Sequence, residues 1–366
     1  MIWQGVKEWL WLVRVFFFLL RHKVRKEGGV LQTKVWSVAV EKPEEEIIAK
    51  AAQIIKQGGL VAFPTETVYG LGADGFNETA VQRIFRVKKR PLNQALILHL
   101  AEKADLEKLA FLEDERAWKL AHFFWPGPLT LVLPKREVVP GIVSGGLTTV
   151  GLRMPNHPVA LALIRAVGVP LAAPSANCFG RPSPTKGEHV LQDLGGKIEA
   201  ILEAGSTSLG LESTVLDLSQ KVPLILRSGA ISKEELELVL GKVDRKEASI
   251  VSESGCPLKV IFLKGNAEKK AKYLSTYLAK KPSEKIALLL TTATWGFLGE
   301  VPAVFYQRDL GNQLEQIAPL LYEELRNCEA QGIEVVFTEA YEEKGWGQAL
   351  MSRLLKFTQG QIQVIE

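Results

Sequence analysis

Apolar residues fall in short blocks along most of the chain, and the blocks follow two rhythms. Between positions 44 and 57, Ile47, Ile48, Ala51, Ile54 and Ile55 recur every three or four residues, which predicts an amphipathic helix. Pro43 and the acidic run Glu44-Glu45-Glu46 suit its positive start, and Gly58 suits its end. Positions 60–63 form a brief unbroken apolar run launched from Gly58-Gly59, the pattern of a buried strand. Asn77 offers a cap for a second helix reaching about Val87, with Ala80, Val81, Ile84 and Phe85 as its apolar stripe. Helices are also predicted over 113–124, 158–167, from Thr185 or Lys186 to Leu194, and from Ser232 to Leu240, where Glu235 completes a capping box. Strands are predicted at 95–98, 129–133, 150–153, 169–173, 198–202 and 215–218.

Periodicity lapses over 241–257 and then returns in a different arrangement. Strands at 258–263, 285–290, 303–306 and 333–337 alternate with helices at 267–279, 312–328 and 346–357, the order of a small α/β layered unit. A chain of 366 residues exceeds one ordinary core. The division read from these patterns is an extension at 1–30, a first domain at 40–240, a linker at 241–257 and a second domain at 258–366.

Composition narrows the function classes. At 47% hydrophobic and 23% charged, the chain is globular rather than disordered. Cys178, Cys256 and Cys328 lie far apart without pattern, so neither a disulfide framework nor a zinc site is expected, and a reducing cytoplasm is the natural setting. The net charge of +4 resides wholly in residues 1–30, leaving 39 basic against 39 acidic residues in the rest. Charge therefore gives no support to a polyanion-binding role. Within 1–30, the apolar run 9–20 contains Arg14 and is shorter than the roughly 20 residues of a spanning helix. Its charges and flanks also do not match a secretion signal. The favoured reading is a start-site artefact, because Lys26-Glu27-Gly28-Gly29 is what a purine-rich ribosome-binding sequence would spell if translated. A membrane anchor is the alternative.

Several residues carry candidate chemistry. Gly70-Leu71-Gly72-Ala73-Asp74-Gly75 fits a dinucleotide-binding glycine string, but Pro64–Tyr69 intervene after the strand and no acid stands near Asn93. These glycines are read instead as a loop beside a ligand. No Walker-type phosphate loop is present either. Lys88 and Arg90 follow a helix and precede Pro91, a place that suits a phosphate clamp and equally a solvated helix end. Arg153 sits in the apolar stretch Val150-Gly151-Leu152-Arg153, so a carboxylate partner is expected, from a substrate or from an internal Asp or Glu. Arg227 likewise ends an apolar strand, and His99 closes another.

The motifs PTETVYGLG (64–72), Lys88-Lys89-Arg90-Pro91, WPGPLTLVLP (125–134), VGLRMPNHP (150–158), APSAN (173–177), GRPSPT (180–185) and LESTV (211–215) occur together and in order. In this the chain resembles the YrdC-type L-threonylcarbamoyladenylate synthases over about residues 40–235, and its last third resembles the extra domain of their longer members. The resemblance implies a YrdC-like twisted mixed open α/β sheet with a central cavity, plus a smaller C-terminal α/β layered domain. It implies synthesis of L-threonylcarbamoyladenylate from L-threonine, bicarbonate and ATP, with Mg2+ carried by the nucleotide, release of pyrophosphate and no protein-held metal. The product would pass to proteins that transfer the threonylcarbamoyl group to tRNA; contact with tRNA itself is not implied by the charge. By the same resemblance Lys88, Arg90, Ser175 and Asn177 form the phosphate site. Gln94, Thr149, Ser183 and Arg227, with Arg90 and Ser175, contact ATP. Thr67, His99, Arg153, Ala173 and Ser213 hold threonine.

Two departures from the family pattern stand out. Gln94 and Ala95 replace the usual Asn-Pro pair, lengthening one amide and removing a stiffening proline. The linker reads Ser252-Glu253-Ser254-Gly255-Cys256-Pro257, without the tyrosine and histidine that long members carry over the cavity, so weaker retention of the adenylate is expected. The rivals are a non-catalytic module of the same fold binding double-stranded RNA or ribosomes, and a carbamoyl-transfer domain. The neutral charge of 31–366 speaks against the first, and the matched threonine positions against the second.

Overall fold

In the computed structural model the described residues are 31–246, 258–281, 284–299, 304–342, 344–357 and 361–365. The 1–30 extension and the linker stretch 247–257, including its shortened motif, lie outside them.

Eleven strands form the first sheet: β1 Lys34–Ser37, β2 Val61–Phe63, β3 Gly70–Asp74, β4 Ile97–His99, β5 Leu129–Pro134, β6 Thr149–Arg153, β7 Leu171–Ala172, β8 Ala200–Glu203, β9 Thr214–Asp217, β10 Leu224–Arg227 and β11 Asp244–Arg245. Their spatial order is β1-β8-β2-β3-β7-β4-β6-β5-β9-β10-β11. Pairings are mixed, as β2 runs antiparallel to β3 and parallel to β8, and β4 runs parallel to β6. The fold is thus the open mixed α/β sheet expected from the motifs.

Helices cover both faces because each carries the stripe read from its sequence. Glu45–Lys56 buries Ile48, Ala51, Ala52 and Ile55 against Val159, Ala160 and Leu163 of the helix Pro158–Val167. On the opposite face, Ala80, Val81, Ile84 and Phe85 of Glu78–Lys88 join the larger core with Leu98, Leu131 and Leu152. The Asn77 side chain caps this helix by accepting from the Ala80 amide at 3.1 Å. Ser232 and Glu235 make the expected reciprocal box on Lys233–Leu240.

The segment beside the cavity departs from expectation. Gly70–Asp74 is a strand rather than a loop, paired antiparallel to β2. The Phe63 ring lies across it so closely that a Cβ on Gly72 would fall 2.8 Å from Cε1 of that ring. Glycine here makes room for an aromatic neighbour, and a run of small residues carries no alternation from which a strand could be read.

The second sheet holds β12 Lys259–Lys264, β13 Ile286–Leu290, β14 Tyr306–Asp309, β15 Val335–Glu339 and β16 Gln361–Val364, in the order β14-β13-β15-β12-β16. Every pairing in it is parallel. Apolar clusters lie on both faces, as such sheets require. The edge strand β14 falls three residues later than its apolar pattern suggests, because its ladder uses the polar segment Tyr306-Gln307-Arg308-Asp309. The helix Thr292–Leu298 and strand β16 were not anticipated by the apolar pattern.

The two sheets are joined by more than the linker. Arg326, on the helix Leu314–Ala330, contacts Asp193 at 3.1 Å and donates to the Pro182 carbonyl of the first domain. Arg181 pairs with Glu329 at 2.6 Å, and Lys186 pairs with Glu323. Among the described residues no helix is long and apolar enough to cross a membrane.

Candidate active site

A cavity opens at the middle of the first sheet, where the ends of β2, β4, β6, β9 and β10 converge with the loop after β7. On one side, the turn after β2 presents Thr65 and Thr67. Thr65 Oγ1 donates to the Val68 carbonyl at 2.7 Å and lies 2.8 Å from Thr67 Oγ1. A hydroxyl has one proton, so Thr67 is the donor in that second bond. Its oxygen is left with acceptor capacity toward the cavity, the complement of an ammonium or carbamate N–H.

His99 and Arg153 reach the same wall side by side, because they are register partners in the parallel pairing of β4 with β6. Arg153 is buried, donates to the Gly127 carbonyl at 3.2 Å and meets the Glu66 carboxylate at 2.8 Å. The carboxylate partner demanded by its apolar strand is therefore internal. Neither Glu66 oxygen accepts a hydrogen bond among the described residues, so the contact is ionic and leaves lone pairs to spare. Burial, and then the neighbouring Arg153 charge, push His99 down to about 3. The imidazole is thus neutral through the physiological range and can donate and accept at once.

The cationic side is built at the end of Glu78–Lys88. Lys89 takes a left-handed conformation, φ 56°, which closes the helix and sends Lys88 and Arg90 in different directions. Arg90 lines the cavity, donating also to the Ala95 carbonyl at 3.2 Å. Lys88 turns inward and is buried, its ammonium held by the carbonyls of Ser175 and Asn177 and by Asn177 Oδ1. Burial, with Arg90 next, pushes this lysine down to about 7. Three oxygen acceptors match the three protons of its charged form.

Across the cavity, Arg227 donates to the Ser213 carbonyl at 2.8 Å and to Ser213 Oγ at 2.8 Å. Burial lowers it to about 9, with the Arg353 guanidinium the next cause, and it remains a cation at neutral pH. Glu212 contributes the single carboxylate among the described residues lining the cavity, and Ser183 donates to it at 2.8 Å.

The residues singled out in the sequence thus separate by position. Thr67, Arg90, His99, Arg153, Ala173, Ser175, Ser213 and Arg227 line one cavity. Lys88, Asn177 and Ser183 stand immediately behind its walls. Asn177 spends its amide on the carbonyls of Cys178 and Arg181, which shapes the loop carrying Ser175. Gln94 and Thr149 are half-buried outside the lining. Sequence reasoning missed Thr65 and Glu212 as lining residues and Glu66 as the ion partner of Arg153. The signal available was their place inside the PTET and LEST strings, next to residues already selected.

The buried neutral His99 has a measurable consequence. An unfolded histidine takes up its proton near pH 6.5 while the folded one resists until about 3, so the unfolded state binds more protons in between. Stability should therefore rise with pH across that window, by up to about 1.4 kcal/mol per unit from this one group. Urea unfolding of wild type and His99→Asn between pH 4.5 and 7 should show a shallower slope in the variant. Equal slopes would mean that His99 is hydrated and titrates normally.

Comparison with known proteins identifies the family. The family model described as Telomere recombination, covering Sua5, YciO and YrdC, matches residues 53–229. The model for the threonylcarbamoyl-AMP synthase C-terminal domain matches residues 231–357. The threonylcarbamoyl-AMP synthase of Pyrococcus abyssi is 44% identical over 331 residues, which is 86% of this chain and 95% of that protein. That of Bacillus subtilis is 38% identical over 350 residues, 91% of this chain and 99% of the relative. The crystal structure of P. abyssi Sua5 complexed with L-threonine superimposes with a TM-score of 0.84 at 41% identity, covering 91% of this chain and 100% of that one. With both domain models matched in order and near full-length relatives of this identity, the chain belongs to the Sua5/YrdC family, in its two-domain form with a C-terminal Sua5 domain.

Proposed function

We propose that this enzyme makes L-threonylcarbamoyladenylate from L-threonine, bicarbonate and ATP, for the threonylcarbamoyl modification of tRNA. The observation that carries the reading is the cavity wall itself: three guanidinium groups, Arg90, Arg153 and Arg227, stand around one carboxylate. Such a surplus of cations suits a triphosphate facing a carboxylate substrate. It is supported by the threonine bound in the P. abyssi relative.

In this reading threonine's carboxylate meets Arg153, its nitrogen meets the accepting oxygen of Thr67, and neutral His99 and Ser213 Oγ orient the remainder beside Ala173. The amine attacks the bicarbonate carbon, and the hydroxyl of bicarbonate leaves as water with a proton from the nitrogen, giving a carbamate. One carbamate oxygen attacks the α-phosphorus, and the bond to the β-phosphate bridging oxygen breaks with its electron pair leaving on pyrophosphate. No side-chain nucleophile is required, so the protein's task is alignment and charge stabilisation. Arg90, Ser175 and Arg227 serve the phosphates directly. Lys88 and Asn177 serve them indirectly, by holding the 175–177 backbone in place. Gln94 and Thr149 are assigned to the nucleotide rim, and Ser183 serves the nucleotide from behind the wall through its hydrogen bond to Glu212. Mg2+ enters with ATP as part of the substrate.

The test is pyrophosphate release from the full chain with ATP, omitting threonine and bicarbonate in turn. Release should require both. Release indifferent to threonine would overturn the reading.

A further inference from the structure

Four consecutive residues pass from the C-terminal domain into the cavity. Gly210 approaches Pro319 of the helix Leu314–Ala330 so closely that a Cβ would lie 2.2 Å from the proline Cα, and its φ of +60° also favours glycine. Leu211 is buried in a cluster with Tyr322 and Ala349. Glu212 meets Arg353 of the helix Gly345–Phe357, its Oε2 3.4 Å from Nε. Ser213 then faces the site and receives Arg227. Glu212 is therefore shared, with one oxygen toward the second domain and the other accepting from Ser183.

This placement raises a charge problem. A buried carboxylate beside a triphosphate site would repel the nucleotide unless neutralised. The groups facing Glu212 are Ser183 from the loop before the helix Gly187–Leu194, Arg227 from β10, Tyr322 from Leu314–Ala330 and Arg353 from Gly345–Phe357. Arg90 and Arg153 lie across the cavity and bear on Arg227. Arg227 also bears on Glu212, but its hydrogen bonds go to Ser213, so Arg353, which exerts the larger influence and stands in the ion pair, is the principal counter-cation that shields the nucleotide from Glu212. Arg353 is itself buried, and its Nε and Nη2 make no hydrogen bond among the described residues, so its partnership with Glu212 is one of charge.

We propose that Arg353 is a positioning residue for nucleotide binding, through which the C-terminal domain completes the catalytic cavity by neutralising Glu212 and fixing the 210–213 segment. The proposal rests on the synthase reading. It makes the second domain part of the ATP site, although none of the described lining residues belongs to it.

The experiment measures MgATP affinity of the full chain by calorimetry between pH 6 and 8.5, beside the KM values for ATP and threonine. In Arg353→Met, Glu212 loses its strongest opposing charge while remaining buried, so its carboxyl rises from where Arg353 holds it. Any loss of ATP affinity should shrink as the pH falls, because protonation removes the charge that opposes the nucleotide. Where it is ionised without its counter-cation, ATP affinity should fall about tenfold or more, and KM for threonine should rise by less, since one carboxylate feels the exposed charge more weakly than a triphosphate. Arg353→Lys should restore most of the loss. Glu212→Gln combined with Arg353→Met should abolish the pH dependence and bind ATP more tightly at pH 8.5 than Arg353→Met alone. Thermal melts of each variant separate unfolding from weakened binding. Arg353→Met with ATP affinity within twofold of wild type at every pH overturns the proposal. So does a loss that is the same at every pH and the same for both substrates, because that would be packing alone. Wild type that neither binds ATP nor releases pyrophosphate overturns the synthase reading, and this proposal with it.

Discussion

Arg90→Ala is expected to lower turnover by about a hundredfold or more, roughly 3 kcal/mol of transition-state stabilisation, while the protein unfolds near the wild-type temperature. Arg90 follows the helix, stands just before Pro91 and is only half-buried, so its removal opens no core cavity. Its guanidinium points into the site where the phosphates would lie, and charge developing on pyrophosphate needs a fixed cation there. Arg90→Lys should recover only part of the rate, since an ammonium cannot present a planar fork to two oxygens. Steady-state pyrophosphate release and a thermal melt together decide the matter. Wild-type turnover in the alanine variant would mean that Arg90 is merely a solvated helix end.

Arg153→Met should fail on two counts. The Arg153–Glu66 pair is buried, with side-chain exposures of 5% and 7%, and removing one member leaves an uncompensated charge inside the protein. The expected cost is about 3–5 kcal/mol of folding stability, read by urea unfolding. Threonine binding should be lost as well, because the cation facing its carboxylate is gone. The double variant Arg153→Met with Glu66→Met separates the two effects, since apolar replacement of both partners is often neutral for stability. Recovery of stability without recovery of threonine affinity is the expected outcome. If Arg153→Met kept both stability and affinity, the pair would be neither structural nor part of the amino-acid site.

The difference between Lys88 and Arg90 shows where sequence reading stopped. Both are cations flanking Lys89, both belong to one motif, and nothing in their spacing separates them. The structure separates them through the left-handed turn at Lys89, which buries one behind the Ser175–Asn177 loop and leaves the other facing the cavity. The Gly70–Asp74 strand was hidden for a related reason. Its residues are small because of a neighbour, Phe63, that lies beside them only after the sheet has formed.

By itself the sequence determined whatever depends on neighbours a few positions away. Those features are the stripe of Glu45–Lys56, the Asn77 cap, the Ser232–Glu235 box, the alternation of strands and helices in the second domain, and the ordered motifs that carry family membership. Periodicity and capping are local physics, so they survive in a one-dimensional reading. Only the tertiary structure decided which charges face each other. Glu66 with Arg153, and Glu212 with Arg353, are far apart along the chain and join elements whose pairing no local pattern encodes. Whether a carboxylate is a solvated surface group, a buried ion partner or part of a cavity wall depends on the dielectric and the counter-charge around it, and the packed fold alone supplies both.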